Sequence, residues 1–262
     1  PDPRMQARYD VLPWLAVKAA FGLFHQAPAL QTLSAINGNP QLGPEGALHY
    51  VVGVEFRPLQ QLHIGLDGFY KDLRDLVVRG QSTTDPRYIN DGVGRVYGGE
   101  VLVRLDPFHN LFGWVSYTLM RSERLDHPGG DWRIFEFDQT HILTLIASYK
   151  LPYGFQVGLR FRAVTGNPTT PILAATYDAN TDRYIPISGE LGSQRLAPFH
   201  QLDLRVDKEF TFDRWRLSLY LDVQNVYYAS NPEGISFNFD YTKQSPINGL
   251  PLFPGLGVRG DF

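Results

Sequence analysis

A chain of 262 residues has room for one large β domain or two small ones. A formal charge of −3 leaves no basic footprint for nucleic acid, and the absence of cysteine excludes disulfide scaffolds and thiolate metal sites. No apolar run approaches the roughly 20 residues that a membrane-spanning helix needs, so any crossing must be made by a closed barrel of strands. The 14 Tyr and 4 Trp suit the aromatic girdles of such a barrel. A mean hydropathy of −0.22 is what a polar lumen and long polar loops would produce.

Alternating segments recur at about 4–11, 15–24, 48–58, 62–71, 95–105, 111–121, 141–151, 155–165, 200–210, 215–227 and 250–262. In the third, Tyr50, Val52, Val54 and Phe56 face one way and Gly53, Glu55 and Arg57 the other. In the fourth, Leu62, Ile64, Leu66 and Tyr70 oppose His63, Asp67 and Lys71. Phe155, Val157, Leu159 and Phe161 oppose Gln156, Arg160 and Arg162, and Leu202, Leu204 and Val206 oppose Asp203, Arg205 and Asp207. Leu217, Leu219, Leu221 and Val223 oppose Arg216, Ser218, Tyr220 and Asp222. Period-two alternation with charge on the polar face predicts antiparallel strands whose apolar side meets lipid and whose polar side meets a lumen.

The separators sort by length. Short ones fall at Leu12-Pro13-Trp14, Leu59-Gln60-Gln61, 106–110, Pro152-Tyr153-Gly154 and 211–214, and long polar ones at about 25–46, 72–93, 122–139, 166–198 and 228–249. They alternate strictly, as tight periplasmic turns and long extracellular loops do in outer-membrane barrels. In the first long loop, the run from Pro28 to Ile36 predicts a short helix. Within 166–198, Ala174–Tyr177 and Arg183–Pro186 around 178–182 predict a hairpin continuing the strands above the membrane.

The chain closes on Leu256, Val258 and Phe262 of one parity, an aromatic ending of the kind read by barrel-assembly machinery. Eleven segments is an odd number, whereas bacterial single-chain barrels have an even count with both termini in the periplasm. Eleven is also half of the twenty-two strands of plugged outer-membrane transporters. The start at Pro1-Asp2-Pro3-Arg4 has neither the basic nor the apolar part of a signal peptide. The expectation is an all-β, antiparallel transmembrane barrel segment over 1–262, a single incomplete domain that is processed, truncated or part of something longer.

Several stretches resemble TonB-dependent outer-membrane receptors, particularly large ones whose plug follows a small regulatory-like β domain. They include Phe21-Gly-Leu-Phe-His-Gln-Ala-Pro28, Gly38-Asn-Pro-Gln-Leu-Gly-Pro-Glu45, Gly68-Phe-Tyr-Lys71, Tyr97-Gly-Gly-Glu100, Val115-Ser-Tyr-Thr118 and Thr165-Gly-Asn-Pro168. The last third adds Gln201-Leu-Asp-Leu-Arg-Val-Asp-Lys208, Asp222-Val-Gln-Asn-Val226 and the terminal strand. The resemblance implies a twenty-two-stranded barrel in the outer membrane of a Gram-negative bacterium, surrounded by its lipid. It also implies an N-terminal plug and barrel half outside this chain, and energy from TonB contacting a box before the plug. It implies no cofactor and no catalysis.

The candidate functional residues are the lumen charges Glu55, Arg57, Asp67, Lys71, Glu100, Arg104, Arg160, Arg162, Asp203, Arg205, Asp207 and Asp222. Their mixed signs suit cross-strand pairing and plug contacts, and also a substrate-guiding surface. The loop aromatics Trp132, Phe135, Phe137, Tyr177, Tyr184, Phe237, Phe239 and Tyr241 are placed to stack on a solute or on one another. Asp178, Asn180 and Asp182 have the oxygen spacing that opens a calcium loop, but Arg183 stands where glycine is needed and Gly189 where the closing Glu belongs. A hairpin turn explains them as well. The seven His residues show no metal spacing, and no Gly-x-Ser-x-Gly elbow is present. Three functions stay open: active import, a plug-free passive or anchoring barrel, and a soluble all-β binding module.

Overall fold

The computed structural model describes residues 2–81 and 86–262; Pro1, the expected extracellular start, and 82–85 of the expected loop 72–93 lie outside the described residues. The first strands are β1 (Arg4–Leu12), β2 (Leu15–Gln26), β3 (Glu45–Leu59), β4 (Leu62–Arg79), β5 (Tyr88–Phe108) and β6 (Leu111–Leu125). A short β7 (Arg133–Ile134) precedes β8 (His141–Lys150) and β9 (Phe155–Val164). Next come β10 (Pro168–Thr169), β11 (Ile172–Asp178), β12 (Arg183–Ser188) and β13 (Gln194–Arg195). The chain ends with β14 (Phe199–Thr211), β15 (Arg216–Gln224), β16 (Pro232–Phe237), β17 (Gln244–Asn248) and β18 (Phe253–Asp261).

Eleven long strands form one path, β1-β2-β3-β4-β5-β6-β8-β9-β14-β15-β18, with β7 attached to β6. They are the eleven segments that the alternation marks out. Among the described residues the buried apolar side chains are Ala16, Val164 and Pro168, whereas Ser122, Asp138, Asp203, Asn225 and Asn231 are buried polar ones. A soluble module of this size buries a continuous apolar core. Here burial is inverted, with large apolar groups turned outward.

The chain divides into two compact units. The first comprises Pro1–Phe56, Gly65–Glu100 and Leu119–Asp138. In its β1–β2–β3 ladder, Met5 stands opposite Phe21 and Phe21 opposite Tyr50; Tyr9 opposes Val17, which opposes Val54. On the other face Arg8 opposes Lys18, which opposes Gly53. The second unit comprises Arg57–Ile64, Val101–Thr118 and Gln139–Phe262. One row across its strands reads Tyr149, Val157, Val206, Leu221 and Leu256, all apolar or aromatic. The neighbouring row reads Ser148, Gly158, Arg205, Asp222 and Gly255.

Turn chemistry follows from backbone sterics. His109 and Asn110 both take positive φ (46° and 68°) in the two-residue link from β5 to β6, the twist that tight hairpins require. Tyr153 and Gly154 do the same between β8 and β9 (62° and 76°). Pro254, opposite Val223, is the second residue of β18, at the start of the strand where a missing N–H disturbs the ladder least.

Three expectations are corrected. The separator 72–93 is far shorter, because β4 runs on to Arg79 and β5 begins at Tyr88. Asp75, at φ 55°, breaks the alternation of β4 as a bulge would, and Glu45 accepts the Val77 N–H at 2.8 Å. The run from Pro28 to Ile36 is not helical. Nine residues nucleate a helix poorly, and the Thr32 hydroxyl donates instead to the Ala29 carbonyl at 2.7 Å. The 166–198 hairpin, β11 with β12, is a separate two-stranded sheet and does not extend the barrel ladder.

Gly257 fits against the Tyr220 ring, whose atoms occupy the space a Cβ would need. Gly257→Val is expected to lower unfolding stability by about 1–3 kcal/mol through overpacking. Adding Tyr220→Ala should recover much of that loss, as read from denaturation midpoints of the folded protein in lipid vesicles.

Candidate functional site

The polar face of the strands is built from charges that meet across strands. In the first unit Arg8 donates to Glu55 at 2.5 Å, and Lys18 Nζ lies 2.9 Å from both carboxylate oxygens of Asp67. A Cβ at Gly53 would collide with the Asp67 carboxylate and lie 2.7 Å from the Lys18 chain. A glycine at that position lets the Lys18–Asp67 pair cross the intervening strand. Lys18 also lies 3.8 Å from Glu55, joining the two pairs. Arg57 and Glu100, on β3 and β5, have interactions of their own, and Lys71 sits half-buried on β4.

In the second unit Asp203 is the centre. Arg160 donates to its Oδ2 from Nε and Nη2 at 2.8 and 2.6 Å, while Gln201 and the Asn225 backbone N–H reach Oδ1 at 2.7 and 2.9 Å. Arg205 chelates Asp207 and lays its guanidinium 3.9 Å over the Tyr220 ring, with Asp222 opposite it in register. Arg104 pairs with Asp106 at 3.0 Å, which also takes His63 Nε2 at 2.9 Å. Arg162 lies 5.7 Å over Phe199.

Sequence reasoning passed over Arg8 and Lys18, although both share the polar parity of their strands. It also missed two buried asparagines that fasten the loop 225–252. Asn225 accepts from the Ala229 N–H and donates to the Ala229 carbonyl, at 2.8 and 2.9 Å. Asn231 bonds both the N–H and the carbonyl of His200, at 2.9 and 3.1 Å. The feature that marks Asn225, its positive φ of 53°, is invisible in sequence.

The loops of the second unit carry two hairpins, β11–β12 and β16–β17. Tyr184 of one meets Phe239 beyond the other edge-on, with ring centroids 5.7 Å apart. Beside that contact lies a cavity of about 600 Å³ lined by Ala174, Ala175, Tyr184, Phe237, Asp240, Tyr241, Thr242 and Gln244, among others. Its size falls within the roughly 300–1,000 Å³ of small-molecule sites. Of the loop aromatics, Tyr184, Phe237 and Tyr241 line it. Tyr177 stacks obliquely on Tyr184 at 5.3 Å. In the first unit, Trp132 lies under the Arg95 guanidinium at 4.3 Å, and Phe135 under Arg124 at 3.9 Å and edge-on to Phe137 at 5.5 Å.

Asp178, Asn180 and Asp182 are engaged in the β11–β12 turn. Asp178 accepts the Asn180 N–H at 2.9 Å and the Thr181 hydroxyl at 2.7 Å, and Asp182 accepts the Tyr177 hydroxyl at 2.5 Å. The Thr181 hydroxyl, helped by backbone N–H groups, holds the Asp178 carboxyl below its ordinary range. Among the described residues no three His, Asp or Glu side chains gather as metal ligands. At the other end of the strands, Leu256 and Val258 are 82% and 70% exposed. Phe262 stacks on Trp215 and Trp215 on Phe212, at 5.8 and 4.4 Å.

A family model described as TonB-dependent receptor-like, β-barrel, matches residues 2–226. The chain belongs to that family. It therefore resides in the outer membrane of a Gram-negative bacterium. Among curated proteins none matches the chain. Among solved structures, the pyoverdine receptor FpvA from Pseudomonas aeruginosa PAO1 is 19% identical with a TM-score of 0.70, covering 100% of this chain and 36% of that one. The ferric-catecholate import receptor Fiu of Escherichia coli K12 is 17% identical with a TM-score of 0.67, covering 98% and 34%. The FpvAI–pyocin S2 complex is 18% identical with a TM-score of 0.67, covering 99% and 33%. The chain thus spans about a third of the length of these proteins, and the likeness is one of fold.

Asp203→Ala removes an acceptor that serves three donor groups, and it is expected to cost about 1–3 kcal/mol of unfolding stability. Asp222→Ala, whose exposure is greater, should cost less in the same denaturation series. In the β11–β12 turn the depressed carboxyl contributes stability above its unfolded pKa of 3.8 and loses it as pH falls through the lower folded value. A carboxyl-carbon NMR titration should place the Asp178 midpoint below 3.8, and Thr181→Val should move it upward.

Proposed function

We propose that this chain forms part of the barrel of an active importer, which captures a scarce solute at its extracellular loops and passes it to the periplasm. The observation that carries this reading is the eleven-strand path with an inverted burial pattern in a chain of the TonB-dependent receptor family. Eleven is odd, and bacterial barrels close with an even number of strands. Residues 1–262 are therefore read as one barrel segment, the C-terminal half of a twenty-two-stranded barrel completed by an N-terminal half and a plug.

In this reading the long loops face outward, and the cavity between β11–β12 and β16–β17 belongs to the capture surface. The paired lumen charges Arg8–Glu55, Lys18–Asp67 and Arg160–Asp203 brace a wide polar interior and present hydrogen-bonding groups to the plug. TonB supplies the energy through the plug. The chain itself carries out no covalent step, and transport requires no catalytic residue.

Uptake of the solute by cells carrying the intact receptor should vanish when TonB is deleted or the proton gradient collapsed. The same receptor in a planar bilayer should conduct almost no current. Free conductance together with TonB-independent uptake would instead identify a passive channel.

A further inference from the structure

We propose that the cavity between the two loop hairpins binds a cationic organic solute, an amine or guanidine on an apolar frame, and turns away anionic metal chelates. This rests on the reading of these loops as an extracellular capture surface.

The lining chemistry is one-sided. Tyr184, Phe237 and Tyr241 contribute aromatic rings, Asp240 a carboxylate, and Thr242 and Gln244 neutral polar groups. No Lys or Arg is among the lining residues. Aromatic faces carry the negative part of the ring quadrupole and attract a desolvated cation. Asp240 adds a full negative charge. Its Oδ1 accepts the Thr242 hydroxyl at 2.7 Å and the Thr242 N–H at 3.1 Å. Those bonds keep the carboxyl below its ordinary range, so it is ionised at neutral pH.

The surroundings point the same way. Tyr177, in ring contact with Tyr184, is hydrogen-bonded to Asp182, so a second carboxylate stands one ring behind the wall. The basic residues adjacent in sequence to the lining, Arg183 and Lys243, are exposed and are not part of it. An anion entering this cavity would lose hydration and meet no cation in its wall. A cation would exchange its water for a carboxylate and an aromatic wall. A neutral sugar could stack, but it would draw nothing from the charge of Asp240.

The test is calorimetric titration of the intact receptor in detergent with three probes: phenethylamine, the ferric complex of 2,3-dihydroxybenzoate, and maltose. The amine should bind saturably and more tightly than either other probe. Asp240→Asn, which keeps the acceptor for Thr242, should weaken amine binding about ten-fold, as should Ala174→Lys, which adds a cation to the exposed wall. Tighter binding of the ferric complex or of maltose would overturn the proposal, as would no amine binding or amine affinity unchanged in both variants. Circular dichroism checks that each variant is folded. Amine binding without TonB-dependent uptake would strike the transport reading and leave the cavity assignment standing; TonB-dependent uptake of another solute without amine binding would do the reverse.

Discussion

Hydrocarbon offers no partner to a peptide N–H or C=O, and that constraint shapes nearly every feature of this chain. Each spanning strand must hand its polar backbone to its neighbours, which is why eleven strands join in a single path. Once the backbone is satisfied laterally, side chains are free to sort by solvent. The row from Tyr149 to Leu256 then faces lipid, and the row from Ser148 to Gly255 does not. Where bare glycine leaves a gap in the polar face, a neighbouring side chain closes it: Tyr220 over Gly257, and the Lys18–Asp67 pair across Gly53. Aromatic cover of strand glycines limits the stability lost to missing side chains.

Charge on the lumen face follows from the same sorting. In the second unit opposite signs face one another across the ladders, as Asp203 does Arg160 and Arg205 does Asp222. In the first, Arg8 and Lys18 stand opposite as like charges and are each answered by a carboxylate further along the sheet, Glu55 and Asp67. Exposed pairs of this kind contribute little each. Asp203 differs because its carboxylate is 9% exposed and holds the start of the last long loop through the Asn225 N–H. A charge that ties β9 to β14 through Arg160 thereby also fixes the base of the loop that lines the cavity.

Parity was legible in the sequence, and with it all eleven long strands and the alternation of short and long links. A period of two survives any register, so it can be read without knowing which strands pair. What depended on register or on distant contacts was not legible. Asp72, Arg74 and Asp75 made the end of β4 look like loop, because a positive φ such as that of Asp75 within a strand leaves no mark in composition. Arg8 and Lys18 gained meaning only when the ladder set them opposite each other and brought Lys18 to Asp67, two strands away. The cavity joins Ala174 and Tyr184 to Phe237 and Tyr241, segments with no shared motif and a whole hairpin of barrel strands between them.

The separation of the loop hairpins from the barrel ladder bears on how such a chain acquires a cargo. β11–β12 and β16–β17 are sheets of their own, so substitutions within them leave every membrane hydrogen bond in place. The lipid-facing rows ask only for apolar residues at alternate positions, a demand that very different sequences can meet. That accounts for a fold shared with Fiu at 17% identity and with FpvA at 19%. The barrel therefore says little about what is carried, and in the proposed capture surface a single carboxylate such as Asp240 on an aromatic wall would set the sign of charge a solute must bring. Selectivity is free to change in the loops at little cost to the structure that holds them.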